Sequence, residues 1–387
     1  MCMEEIVSIE DLIKAYKDCR KHKRNKSSAV KFELNLEENL YTLKEDLNNG
    51  TYTIGKSIAF VVTKPKYREV FAADFRDRIV HHLLIRKLEP YLENYFADSA
   101  YACRKGKGTL YGVKNIGDKI QEITNNYTEN AWVLKLDIKG FFMSIDKDIL
   151  MSGLERFMRI NCTDWSNLEW WIELTKRIVF NRPELNCDLH GDIELWKFLE
   201  KCKSLFYTNG KGLPIGNLTS QFFAGFYLTP VDKFLESIPN ILYGRYADDI
   251  IIISRCKELL LSLIPKLRRF LKENLHLELH PDKVYLQPSN RGITAYGTIL
   301  TGNGLILPGK RLLGNTYNAL LTMDYKFRNN PEMGVNKFVR RMNSYYGFMI
   351  HLNGYKARVK LYKAIADSVF STYVKNYHYK YIKLNTT

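Results

Sequence analysis

The sequence predicts an α+β protein of two or three lobes, on three observations. Residues 132–138 (Trp-Val-Leu-Lys-Leu-Asp-Ile) read as a buried β-strand ending on an acid. Residues 241–253 set Asp248 and Asp249 between runs rich in isoleucine and tyrosine, the pattern of a tight hairpin with two carboxylates at its tip. Residues 1–50 carry apolar side chains at helical spacings, at Ile6, Leu12, Ile13 and Tyr16 and again at Phe32, Leu34, Leu40, Leu43 and Leu47. With 387 residues the chain can bury a large core.

Composition narrows the function. A net charge of +16 argues for a polyanionic partner. A basic protein at a membrane surface is the alternative, but no apolar segment approaches the ~18 residues of a span and no signal peptide opens the chain. Lys14, Lys17, Arg20, Lys21, Lys23, Arg24 and Lys26 concentrate positive charge near the start, as a contact for RNA or a solvated face. The 25 tyrosines and 20 phenylalanines suit base stacking as well as core packing. Seven cysteines include no CxxC pair, and Cys187 with His190 does not make a zinc site. Reduced, structural cysteines and a cytosolic location are expected.

In chain order, residues 64–84 read as a basic hairpin running into an apolar helix, and residues 98–109 as a basic, glycine-bearing loop. The strand ending at Asp137 is followed by a glycine turn with Phe141 and Phe142, and Asp146 and Asp148 then begin a helix as caps. At Gly212-Leu213-Pro214-Ile215-Gly216 glycines flank a proline, which permits a close turn before an apolar helix. After the acidic hairpin, residues 275–283 alternate towards Lys283, residues 292–297 form a turn, and residues 308–387 contain basic helical patterns.

Two adjacent acids on a rigid hairpin repel each other unless one takes a proton or cations are supplied. A solvated Asp-Asp turn is the simpler alternative. An Asp at the end of a buried strand needs a partner as well. Asp137 paired with Asp248 would complete a two-metal site, one ion activating a 3′-hydroxyl and the other neutralising a leaving pyrophosphate.

Asp137 with its strand and Tyr246-Ala247-Asp248-Asp249 resemble motifs A and C of the reverse transcriptases. The resemblance implies a right-hand polymerase with fingers, an antiparallel palm with helices and a helical thumb. It makes Asp137, Asp248 and Asp249 the catalytic acids and metal ligands, with Ile138 beside them and two Mg²⁺ as cofactor. Phe142 falls at the steric gate that favours deoxynucleotides, or else is a core aromatic. Arg68 and Arg104 become triphosphate contacts, with Lys66 a weaker candidate, unless they are surface cations. Ile215, Gly216 and Gln221 line the nucleotide site. Lys283 is a general acid or a plain phosphate contact. Lys105, Lys107, Lys337, Arg340 and Arg341 bind nucleic acid. The implied domains are a basic helical extension at 1–50, fingers at 51–130, palm at 131–300 with an insertion at 151–205, and thumb at 301–387, with no RNase H domain.

Most reverse transcriptases carry Pro-Gln-Gly where this chain has Pro214-Ile215-Gly216. That substitution, with Tyr101–Gly108 and Ser344-Tyr345-Tyr346-Gly347, resembles the reverse transcriptases of diversity-generating retroelements, within the group II intron-like bacterial superfamily. Gly225 departs from the asparagine usual there. The resemblance runs from about residue 6 to residue 365 and implies error-prone copying opposite template adenine. Its partners are deoxynucleoside triphosphates, a template RNA with its RNA/cDNA duplex, and a small oligomeric accessory variability protein, in a bacterial or phage-encoded setting. The rivals are a defence or intron-type reverse transcriptase and a catalytically silent RNA-binding scaffold.

Overall fold

The computed structural model describes residues 5–21, 26–64, 66–330 and 334–385. Lys23 and Arg24 of the basic run, and Pro65 of the first hairpin, lie outside the described residues. The chain opens with helices α1 (Ile9–Arg20), α2 (Ser27–Glu33) and α3 (Leu36–Asn48), then strands β1 (Ser57–Val62) and β2 (Arg68–Ala72). Helices α4 (Phe75–Tyr95) and α5 (Thr109–Ile123) precede strand β3 (Trp132–Ile138), the one-turn α6 (Phe141–Ser144), α7 (Lys147–Asn161), α8 (Leu168–Phe180) and strand β4 (Cys187–Leu189). Next come α9 (Leu218–Tyr227), α10 (Thr229–Glu236), strands β5 (Leu242–Tyr246) and β6 (Asp249–Ser254), α11 (Lys257–Leu275) and β7 (Leu279–Pro288). Strands β8 (Ile293–Ala295), β9 (Thr298–Leu300) and β10 (Ile306–Pro308), helices α12 (Lys310–Asn329), α13 (Val335–Ile350) and α14 (Tyr355–Ala366), and strands β11 (Val374–Tyr377) and β12 (Tyr381–Leu384) complete the α+β fold.

The elements form two compact units, each built from three separate stretches of chain. The first comprises residues 1–103, 137–237 and 264–282. Its sheet has the order β2-β1-β4, with β1 antiparallel to β2 and parallel to β4. Helix α4 is the spine, starting at the Asp74 N-cap and burying Ile79, Val80, Leu83, Leu84, Leu88 and Leu92.

The second unit comprises residues 104–136, 238–263 and 283–387. Strands β5 and β6 pair antiparallel in a sheet ordered β5-β6-β3-β7, and Ile250, Ile251, Ile252 and Ile253 are fully buried. Towards the C-terminus, Phe338, Met342, Tyr346 and Met349 of α13 share a core with Leu320, Phe327, Leu361, Ile365 and Phe370.

Helices α12, α13 and α14 fill most of the C-terminal region as the helical patterns suggest, and β11 and β12 add a hairpin that the sequence reading did not assign, whose inward Val374 and Ile382 join the α13 core. Its turn holds His378 and Tyr379 at φ of 53° and 54°, a left-handed geometry that stops helix continuation. Residues 187–189 also form a short strand that sequence reading left unassigned. The expectation of structural cysteines needs correction: Cys19 and Cys162 are buried, but Cys103, Cys202 and Cys256 are exposed and take no part in a core.

Candidate active site

In the first unit, half-buried Asp137 is the next-to-last residue of β3, and the chain turns at Gly140 (φ 56°) into the α6 turn that carries Phe142. A glycine is needed there twice over, since a Cβ would also approach the Cys202 carbonyl at 3.0 Å. Asp146 then caps α7, its Oδ1 accepting from the backbone N–H groups of Asp148 (3.1 Å) and Ile149 (3.4 Å). Its Oδ2 lies 3.0 Å from His276 Nδ1 and 3.3 Å from Lys211 Nζ. Burial opposes ionisation of Asp146, but the His276, Ile149 and Lys211 contacts prevail and hold the carboxyl below its usual range.

The 211–217 loop is fastened to this turn and to β2. Gly212 N–H donates to the Ile145 carbonyl and Leu213 N–H to the Phe142 carbonyl, both at 2.8 Å. The Phe71 N–H donates to the Ile215 carbonyl at 2.8 Å, and the Ala73 N–H to Asn217 Oδ1 at 3.3 Å. Gly216 has φ 125°, and a Cβ there would meet the Phe71 carbonyl oxygen and Val70 Cγ1 at 2.9 Å. The Ile215 side chain packs on Ala59, Phe71, Met143 and Leu205. Phe142, Ile215, Gly216 and the strand that begins with exposed Arg68 are therefore brought together, while Gln221 is exposed on α9.

Sequence reading missed Glu69, the neighbour of Arg68. It is fully buried and accepts from Ser204 Oγ (2.8 Å), the Leu205 N–H (2.7 Å) and Trp196 Nε1 (2.8 Å). Burial pushes its carboxyl up, against the pull of these three donors. Only tertiary closure brings residues 196–205 to β2, so no local pattern announces this contact.

In the second unit Tyr246 pairs with Asp249, which leaves Ala247 and Asp248 as the hairpin loop. Ala247 has φ 53°, uncommon for a residue with a Cβ. Buried Arg245, also missed, donates from Nη1 to the Ala247 carbonyl at 3.1 Å and braces the turn. Lys135 Nζ lies 3.0 Å from Asp249 Oδ2. Arg104, Lys105 and Lys107 precede α5 on a loop bent at Gly106 (φ 72°) and Gly108 (φ 131°). Lys283 is half-buried on β7, and Lys337, Arg340 and Arg341 are exposed on α13, opposite its buried face.

The donor chemistry fits a hard divalent cation. Asp248 and Asp249 offer carboxylate oxygens on a braced turn, and the Lys135 ammonium already stands where positive charge is welcome. Among the described residues no three His, Cys, Asp or Glu side chains converge. Mg²⁺ takes few protein ligands and completes its shell with water and substrate phosphate.

Residues 56–290 match the family described as reverse transcriptase (RNA-dependent DNA polymerase). The chain belongs to that family. This reverse transcriptase is 22% identical over 293 residues to Protein YkfC of Escherichia coli (strain K12), covering 67% of this chain and 70% of that protein. It is 27% identical over 101 residues to Nuclear intron maturase 1, mitochondrial, of Arabidopsis thaliana, covering 25% of this chain and 13% of the maturase. Apo telomerase from Candida tropicalis aligns at a TM-score of 0.48 and 12% identity, over 82% of this reverse transcriptase and 56% of the telomerase chain. Telomerase from Candida albicans, solved with a fragment of telomeric RNA, gives 0.45 and 12% over 82% and 60%. The reverse transcriptase thus spans little more than half of each telomerase and a small part of the maturase. Members of the family use divalent metal ions, usually Mg²⁺.

Proposed function

We propose that this reverse transcriptase makes error-prone, adenine-mutagenic cDNA from a dedicated template RNA for targeted gene diversification. The observation that carries the reading is Ile215 between Pro214 and Gly216. A glutamine there can hydrogen-bond a nucleotide's sugar or base edge, whereas an isoleucine offers only shape. Apolar contact separates near-isosteres by about 1–3 kcal/mol, and rejection through unmet hydrogen bonds is far stronger.

Asp137, Asp248 and Asp249, with Ile138 beside them, would hold two Mg²⁺, which supply activation of the primer 3′-hydroxyl and neutralisation of the departing pyrophosphate. Arg68 and Arg104 bind the triphosphate, with Gly216 and Gln221 lining the nucleotide site. Phe142 excludes a ribose 2′-hydroxyl. Lys283 carries the proton or positive charge for the leaving group. Lys105, Lys107, Lys337, Arg340 and Arg341 hold the template and the RNA/cDNA duplex by its backbone. A small oligomeric accessory protein positions the template, in a bacterial cytoplasm.

The test is primer extension on a defined RNA with Mg²⁺ and all four deoxynucleotides, followed by cDNA sequencing. Errors concentrated opposite template adenine, reduced by Ile215→Gln, support diversification. The similarity to the intron maturase favours a second reading, a group II intron-type enzyme. Uniformly accurate cDNA, unaltered by Ile215→Gln, would select it.

A further inference from the structure

The C-terminal hairpin presents a face with no role so far. Cross-strand register sets Lys375 opposite Lys383 and Tyr377 opposite Tyr381. Strand alternation puts these four side chains on the face opposite Val374 and Ile382, which are sunk in the α13 core. The two tyrosine rings stack at 5.1 Å with planes 7° apart. Lys383 Nζ lies 5.0 Å from one ring centroid and 5.6 Å from the other. Among the described residues neither Lys375 nor Lys383 forms an ion pair. Like charges directly opposite across two strands destabilise the pair. Two lysines in cross-strand register, one of them with its ammonium over the tyrosine rings, call for an anion, and the stacked rings beside them offer an aromatic surface to a base.

The hairpin itself is firmly seated. Asn343 of α13 donates from Nδ2 to the Ile382 carbonyl and accepts from the Ile382 N–H, both at 2.8 Å, and Arg358 donates to the Tyr379 carbonyl at 3.1 Å. The face is thus a rigid platform, with little ordering cost left for binding.

We propose that Lys375, Tyr377, Tyr381 and Lys383 form a binding platform for single-stranded RNA, with phosphates at the lysine pair and a base or sugar against the tyrosines. The proposal rests on the reading that this chain works on RNA. Single-stranded nucleic acid offers phosphates and unstacked bases together, and the chain's +16 charge favours a polyanion. An acidic protein surface would satisfy the lysines and leave the stacked rings unused.

The experiment is fluorescence anisotropy of the full chain with a short, unstructured, fluorescein-labelled RNA across a salt series. Lys375→Gln with Lys383→Gln is expected to weaken binding and to flatten the log–log salt slope by about 1.4, at roughly 0.7 per phosphate. Tyr377→Leu with Tyr381→Leu is expected to weaken binding about tenfold with the slope unchanged. Tyr377→Phe with Tyr381→Phe keeps both rings and should bind as wild type, with thermal melts verifying that every variant is folded. Folded Gln and Leu variants that bind RNA like wild type overturn the platform and leave the face to an acidic protein. Wild-type protein that binds no RNA at all overturns the underlying RNA reading instead, and primer extension reports on that separately.

Discussion

Lys135 Nζ lies 3.0 Å from Asp249 Oδ2 and donates to the Thr294 carbonyl at 3.0 Å, so one ammonium joins the acidic hairpin to β8. Removing it deepens the negative potential at the hairpin and releases the β8 tie at the same time. Lys135→Met should lower the Mg²⁺ concentration for half-maximal primer extension while reducing the maximal rate about tenfold, equivalent to ~1.4 kcal/mol. A Mg²⁺ titration identical to wild type would show that the ammonium does not compete with the metal.

Gly216→Ala tests the seating of the 211–217 loop on β2. The added Cβ meets the Phe71 carbonyl oxygen and Val70 at 2.9 Å on a backbone with φ 125°. Strain of about 1–3 kcal/mol is expected, relieved by moving the loop. The KM for deoxynucleotides should rise together with a lower melting temperature. A melting temperature lowered with KM intact would detach the loop from nucleotide binding.

The position of these acids was legible, and their partners were not. Strand β3 ends at Ile138 as read, and the acidic hairpin falls between β5 and β6, because short apolar runs bounded by polar residues, like the Ile250–Ile253 run of β6, read as buried strands. Lys135 and Arg245 carry no local signal, since what they touch depends on closure of the sheet and on the turn geometry. The β11–β12 hairpin escaped because its alternation is short and its lysines and tyrosines also suit a helix face.

Asp146 should behave as a joint among three segments. Asp146→Asn weakens the α7 cap, the Lys211 ion pair and the His276 contact together, and about 2 kcal/mol of stability should be lost at neutral pH. The folded carboxyl sits below its ordinary value of 3.8, so its contribution is complete above that pH and is lost as acidification passes through the folded value. Urea unfolding should therefore show an acid-limb slope in wild type that Asp146→Asn lacks.

His81 predicts a second acid sensitivity, setting in at higher pH. It is buried in α4 with no hydrogen-bond partner at Nδ1, and desolvation, helped by His82 and Arg78, pushes its imidazole down to about 3. Below the ordinary 6.5 the unfolded chain takes up a proton that the folded chain refuses, so stability falls on acidification by up to ~1.4 kcal/mol per pH unit. His81→Leu should remove that slope between pH 6.5 and about 3 while leaving neutral-pH stability intact or raised. A slope unchanged by the substitution would place the titrating group elsewhere.

The three-stretch construction of each unit sets a schedule for biosynthesis. The first unit lacks its last stretch until Asp282 has left the ribosome, and the second waits for the C-terminal hairpin. Strand β2 and helix α4, synthesised early, must therefore bide their time as partial surfaces before residues 137–237 arrive. Contacts so distant along the chain fold slowly and leave apolar faces open meanwhile. Production of active protein should accordingly depend on chaperone supply and translation speed more than its final stability would suggest.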